Sequence, residues 1–304
     1  MSDRSDRTSS HSGASSTAPA APRLPDALRL GPVRLQVADL ARSLEYYTRV
    51  LGLEPREQGH SSASLYAHDE REPLVELVER AGAAPVRANS RLGLYHFAIL
   101  LPDRPALGRF LGHLAATGTR LGAADHLVSE AIYLRDPDGL GIEVYADRPR
   151  TEWRSAGAEL LMTTEPLGTA SVLDAARGES WTGMPRGTAM GHLHLHVGDV
   201  DDASRFYHDV LGLDRTVWSY PGALFLSAAG YHHHLGVNVW AGPHAPRASD
   251  DEARLLEWRM VLPSSDDART VADRVRAAGH AVRQDESSWV VEDPWGTALR
   301  LAAA

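Results

Sequence analysis

The chain reads as an α+β protein assembled from four modules, each a strand, a helix and three further strands. Two internal repeats lead to this. In the first, residues 33–37 alternate as a half-buried strand does, Asp39 stands where a helix cap belongs, and Leu40, Leu44, Tyr47 and Leu51 form an apolar stripe that Gly52 ends. The phrase returns at residues 193–197, Asp199, Phe206, Tyr207 and Gly212, at one constant offset. In the second repeat, Leu101-Pro102, a helix, Gly118 and the turn Asp136-Pro137-Asp138-Gly139 are echoed by Leu262-Pro263, a helix, Gly279 and Asp293-Pro294-Trp295-Gly296. The modules fall near residues 31–80, 91–147, 188–241 and 254–302.

The rest of the chain is arranged around them. The 304 residues suffice for two domains with real cores. Residues 1–27 are rich in Ser, Ala, Pro, Arg and Asp, carry no apolar segment of a signal peptide, and read as a disordered tail. Residues 28–150 hold the first pair of modules and residues 188–304 the second. Between them, residues 151–187 form a connector containing Pro166 and Pro185, in which residues 171–177 read as a short helix.

Composition narrows the function. A net charge of −9 gives no basic footprint for nucleic acid. No apolar run approaches the roughly 18 residues of a membrane-spanning helix. The absence of cysteine removes disulfides, thiolate ligands and Cys nucleophiles together, and is compatible with a reducing cytoplasm.

The stretch with most chemical content is residues 126–145, strand, tight turn, strand, which carries His126, Tyr133 and Glu143 on one hairpin. Histidine is also abundant in the third module. Alternation places His192, His194 and His196 on one face of their strand. In the run 232–234, His232 and His234 share the face of Asn238, the repeat counterpart of Glu143, so His233 is expected to point away. Five inward histidines exceed what one metal needs, and such a run can also be an adventitious metal-binding patch.

The spacing of His126, Tyr133, Asp136-Pro137-Asp138-Gly139 and Glu143 resembles the signature of type I extradiol ring-cleavage dioxygenases, members of the vicinal oxygen chelate superfamily. Ala124, two before the His, is the one departure. Residues 93–104, 145–150 and 230–234 look like those of two-domain catechol 2,3-dioxygenases. The resemblance covers nearly the whole chain after residue 30 and implies βαβββ modules that pair into two incomplete barrels, one of them enclosing an active metal cleft.

It further implies a ligand set of His96, His192 and Glu143, the 2-His-1-carboxylate arrangement that leaves positions open on Fe(II), with Mn(II) the alternative metal. Tyr133 would hydrogen-bond a substrate oxygen, His126 would flank the substrate, and His232 or His234 would serve as acid/base. The implied partners are a catechol and O2, with a homo-oligomer compatible. The same fold also hosts glyoxalase-like isomerases and lyases, and non-catalytic binding proteins. The former need a metal cleft but not the His126/Tyr133 pair, and the latter need no triad.

At the ligand positions of the repeat, module one has Pro32 and module four has Glu257 and Arg300. Only modules two and three together assemble the full set. The expected pairing is therefore two with three around one metal and one with four as a structural cleft, from the same chain or a second one.

Overall fold

The computed structural model describes residues 23–242 and 244–304. Most of the expected tail, residues 1–22, lies outside the described residues. Residues 23–27 within it are already packed against the third module: Leu24 is buried and its N–H donates to the Gly212 carbonyl at 3.0 Å.

Two large sheets carry the four modules. In one, the first strand of module two (Gly93–Leu100) lies antiparallel beside the first strand of module three (Ala189–His196). Each then pairs in parallel with the last strand of its own module, Gly141–Asp147 and Leu235–Asn238. The other sheet repeats this plan with modules one and four, Val33–Val37 lying antiparallel beside Arg254–Leu262. Pairing thus runs two with three and one with four, all within a single chain.

The helices form where local chemistry favours them. Asp39, Asp103 and Asp199 each accept a backbone N–H from three residues on, satisfying a donor that a helix start leaves unpaired. Gly118 ends its helix in a left-handed conformation, φ 66°, which costs a residue without Cβ little. The third-module helix is irregular, opening to a π-turn over Arg205–Val210. In the connector a helix does form, over Thr169–Ala175, and packs on the helix Arg104–Thr117 so closely that a Cβ on Gly108 would lie 2.3 Å from the Val172 carbonyl oxygen.

The two sheets are tied together by the repeated turn. Asp136 accepts backbone N–H groups from Asp138 and Leu140 on one oxygen, and the Tyr47 hydroxyl of module one at 3.2 Å on the other. Asp293 accepts the Tyr207 hydroxyl of module three at 2.9 Å in the same way. Each Asp-Pro-x-Gly turn therefore anchors a buried tyrosine belonging to the opposite sheet. Burial drives the Asp136 carboxyl up to about 7, against the pull of its backbone donors.

Candidate active site

The site grows out of strand register. Across three neighbouring strands, His192 stands opposite Ala98, and Ala98 opposite Glu143. Tyr133 stands opposite Glu143 on the fourth strand, and His96 opposite His194 one row away. Directly opposed residues share a face, so all these side chains rise from the same side of the sheet. Ala98, in the middle of the row, is fully buried and packs with Ala131 and Tyr145.

Ligand atoms of His96, Glu143 and His192 lie within 4.8 Å of one another, all three side chains buried. Glu143 Oε2 is 3.0 Å from His96 Nε2 and 3.2 Å from His192 Nε2. Despite that closeness His96 Nε2 makes no hydrogen bond, because its direction does not suit one. A buried nitrogen held 3.0 Å from a carboxylate without bonding it is a poor structural contact and a good metal-ligand arrangement.

Electrostatics point the same way. Burial lowers both imidazoles below their ordinary range, against the attraction of Glu143. Burial alone would raise the Glu143 carboxyl, yet the neighbouring His192 and His96 hold it well below the usual carboxylate range. Neutral imidazoles beside an ionised carboxylate are the protonation states that coordination requires.

His126 and Tyr133 meet next to this triad. His126 Nδ1 lies 2.6 Å from the Thr163 carbonyl, which can only accept, so Nδ1 carries the proton. Its Nε2 then accepts the Tyr133 hydroxyl at 2.6 Å. Burial raises the Tyr133 phenol well above its ordinary value, with Glu143 adding to the effect.

The histidine run departs from expectation. His233, expected to point away, lines the cleft with its ring centroid 4.0 Å from that of His192 and 4.9 Å from Phe225. Neither His232 nor His234 lines it. His232 bonds Asp147 at 2.9 Å, and His234 Nδ1 accepts from Ser227 and the Ala228 N–H. Alternation counted back from Asn238 fails because the regular strand begins only at Leu235. Residues 231–234 before it belong to no strand, and the chain bends at His232 and His234, so the two-residue period does not carry back to them. His194 lines the cleft, its Nε2 buried without a partner, whereas His196 bonds Asn238 at 2.7 Å.

The cleft has a volume of about 340 Å³. Tyr95, Tyr220, Phe225 and Trp240 form an aromatic wall, and Met162, Thr163 and Thr164 of the connector close one side. Sequence reasoning treated residues 151–187 as a linker and missed this part. The Pro and Gly content that suggests a spacer carries no sign of where its backbone lies.

Comparison with known proteins agrees with the geometry. The Glyoxalase/Bleomycin resistance protein/Dioxygenase superfamily model matches residues 29–144 and 189–301. A Bacillus subtilis (strain 168) catechol-2,3-dioxygenase is 44% identical over 268 residues, covering 87% of this chain and 93% of that protein. Among solved structures, a Bacillus subtilis candidate dioxygenase superposes with a TM-score of 0.65 at 13% identity, over 92% of this chain and 86% of the other. Glyoxalase I from Zea mays superposes at 0.52 with 15% identity, over 91% and 92%. At such identities these two structures speak for the fold alone.

Proposed function

The chain belongs to the Glyoxalase/Bleomycin resistance protein/Dioxygenase superfamily, and from that membership and the geometry of its cleft we propose that it is an extradiol dioxygenase that opens the ring of a catechol with O2, a step of aromatic catabolism. The observation that carries this reading is the convergence of His96, His192 and Glu143 over Ala98, directly beside the Tyr133–His126 pair. A glyoxalase-type isomerase would need the first feature and not the second.

In this reading His96, His192 and Glu143 hold ferrous iron, which supplies open positions where a catechol and O2 meet. The protein does the rest. Because the Tyr133 hydroxyl donates its hydrogen bond to His126 Nε2, the phenol oxygen faces the cleft as an acceptor for a substrate hydroxyl. Thr163 fixes the His126 tautomer that makes this possible. His233, kept neutral by burial, takes the acid/base role expected of its neighbours, holding or passing a substrate proton inside the cleft. The aromatic wall orients the ring and excludes water, so that substrate and oxidant meet with most of the encounter entropy already lost.

The test is direct. Protein loaded anaerobically with ferrous ion, then given catechol and air, should produce a yellow ring-opened product, with manganese and zinc loading compared in parallel. Full metal occupancy with no ring opening of catechol or alkylcatechols would overturn the reading in favour of an isomerase or binding protein.

A further inference from the structure

Behind His233 runs a line of polar contacts that the proposed reaction does not itself require. Asp147 ends the strand that carries Glu143, and its side chain is 27% exposed. Its Oδ1 lies 2.9 Å from His232 Nε2 and 3.3 Å from the Tyr231 hydroxyl. His232 is fully buried, its ring packed against those of Tyr231 and Trp153, and its Nδ1 lies 2.7 Å from His233 Nδ1. Three side chains thus connect the protein surface to the cleft.

The chemistry of these contacts has a direction. A carboxylate only accepts, so His232 Nε2 must carry a proton to bond it. With that single proton on the His232 ring, its Nδ1 is a lone pair. The short contact to His233 then requires His233 Nδ1 to be the donor. The proton on His233 is thereby assigned to the nitrogen facing away from the cleft, and its Nε2 is the nitrogen left to the substrate.

We propose that Asp147 and His232 are positioning residues that hold His233 as the Nδ1–H tautomer, presenting Nε2 as a proton acceptor in the cleft. Two groups outside the cleft would thereby decide what a group inside it can do, as a second partner orients a metal-bound or catalytic imidazole elsewhere. The catalytic consequence rests on the dioxygenase reading, whereas the tautomer does not. Replacing Asp147 by Asn reverses the direction of the line. The amide N–H₂ can donate to His232 Nε2, which places the proton on His232 Nδ1, makes His233 Nδ1 the acceptor and turns its Nε2–H toward the cleft.

The experiment reads the tautomer and the rate separately. Full-length protein labelled with ¹⁵N in histidine, prepared metal-free and zinc-loaded, is studied by long-range ¹H–¹⁵N correlation, the His233 signals being assigned by their loss in His233→Gln. Wild type should show a protonated Nδ1 on His233, Asp147→Asn should shift the proton to Nε2, and Asp147→Glu should restore it. With ferrous ion and catechol, Asp147→Asn should lose at least about tenfold in kcat with KM and iron content unchanged, and Asp147→Glu should regain most of it. A wild-type His233 protonated on Nε2, or an Asp147→Asn variant with unaltered tautomer and kcat, would overturn the proposal. If wild type opens no catechol ring at all, the dioxygenase reading fails while the tautomer measurement still decides the relay.

Discussion

Arg300 donates Nε and Nη2 to the two carboxylate oxygens of Glu257, at 2.5 and 2.9 Å, in the place where the other sheet sets Glu143 beside His96. The repeat that builds the triad is carried through in modules one and four, but there the ligand positions hold Pro32, Glu257 and Arg300. A bidentate ion pair takes the place of the ligand set, Nη2 also donating to Asp285 at 2.9 Å and the remaining nitrogen, Nη1, to the Ser288 hydroxyl at 2.6 Å. With both charges satisfied, the carboxylate is not available as a metal ligand.

One metal per chain is the expected stoichiometry. Elemental analysis of ferrous-loaded protein should return one equivalent, and two would show that the second cleft also binds. Arg300→Ala leaves a largely buried Glu257 without its partner, at a cost of about 3 kcal/mol in stability. Denaturant melts should register that loss while iron content and turnover stay at wild-type values.

His96→Ala or Glu143→Ala should abolish stoichiometric iron with the circular dichroism spectrum intact. A variant that kept full iron and turnover would remove that residue from the ligand set. Ala98→Leu approaches the same place from the sheet side. Its side chain would enter the space between His192 and Glu143, so iron should be lost, with an overpacking cost of roughly 1–3 kcal/mol.

Tyr133→Phe and His126→Ala should keep iron and lose rate, by something like a hundredfold, the usual effect of removing a positioned proton-transfer group. Phe cannot donate a hydrogen bond to His126, and without His126 the phenol oxygen is no longer held as an acceptor. Unchanged turnover in both variants would move the substrate away from this hairpin.

His234 gives a pH dependence whose sign can be worked out. Burial lowers its imidazole to about 4, and its Nδ1 accepts the Ala228 N–H, which a neutral ring can do. The unfolded chain binds this proton near pH 6.5, where a free histidine titrates, and the folded protein only near 4. The stability it contributes is therefore present above about pH 6.5 and lost as pH falls toward 4, on the order of 3 kcal/mol in all. Melts at pH 7.5 and 4.5 should differ less in His234→Gln than in wild type, and equal differences would show that His234 is not buried neutral.

Much of the architecture was legible because it is local or repeated. Asp39, Asp103 and Asp199 cap helices through contacts three residues long, and the Asp-Pro-x-Gly turns need only their own backbone. The repeat then exposed Pro32, Glu257 and Arg300 as the wrong residues at ligand positions, which was enough to expect modules two and three to pair. That pairing, the meeting of His96, Glu143 and His192, and the single-chain origin of both strands are now visible in the sheet register.

What only the tertiary structure decided lies where the chain leaves regular structure. Strand alternation is a property of paired backbone, and it ended at Leu235, so the step back to His232–His234 assigned the wrong ring to the cleft. Thr163 came from a connector whose path no local pattern dictates, because its one bond into the site is made by a backbone carbonyl, identical in every residue type. Residue identities determined which chemistry was possible. Long-range packing selected the nitrogen, the carbonyl and the histidine that face the cleft.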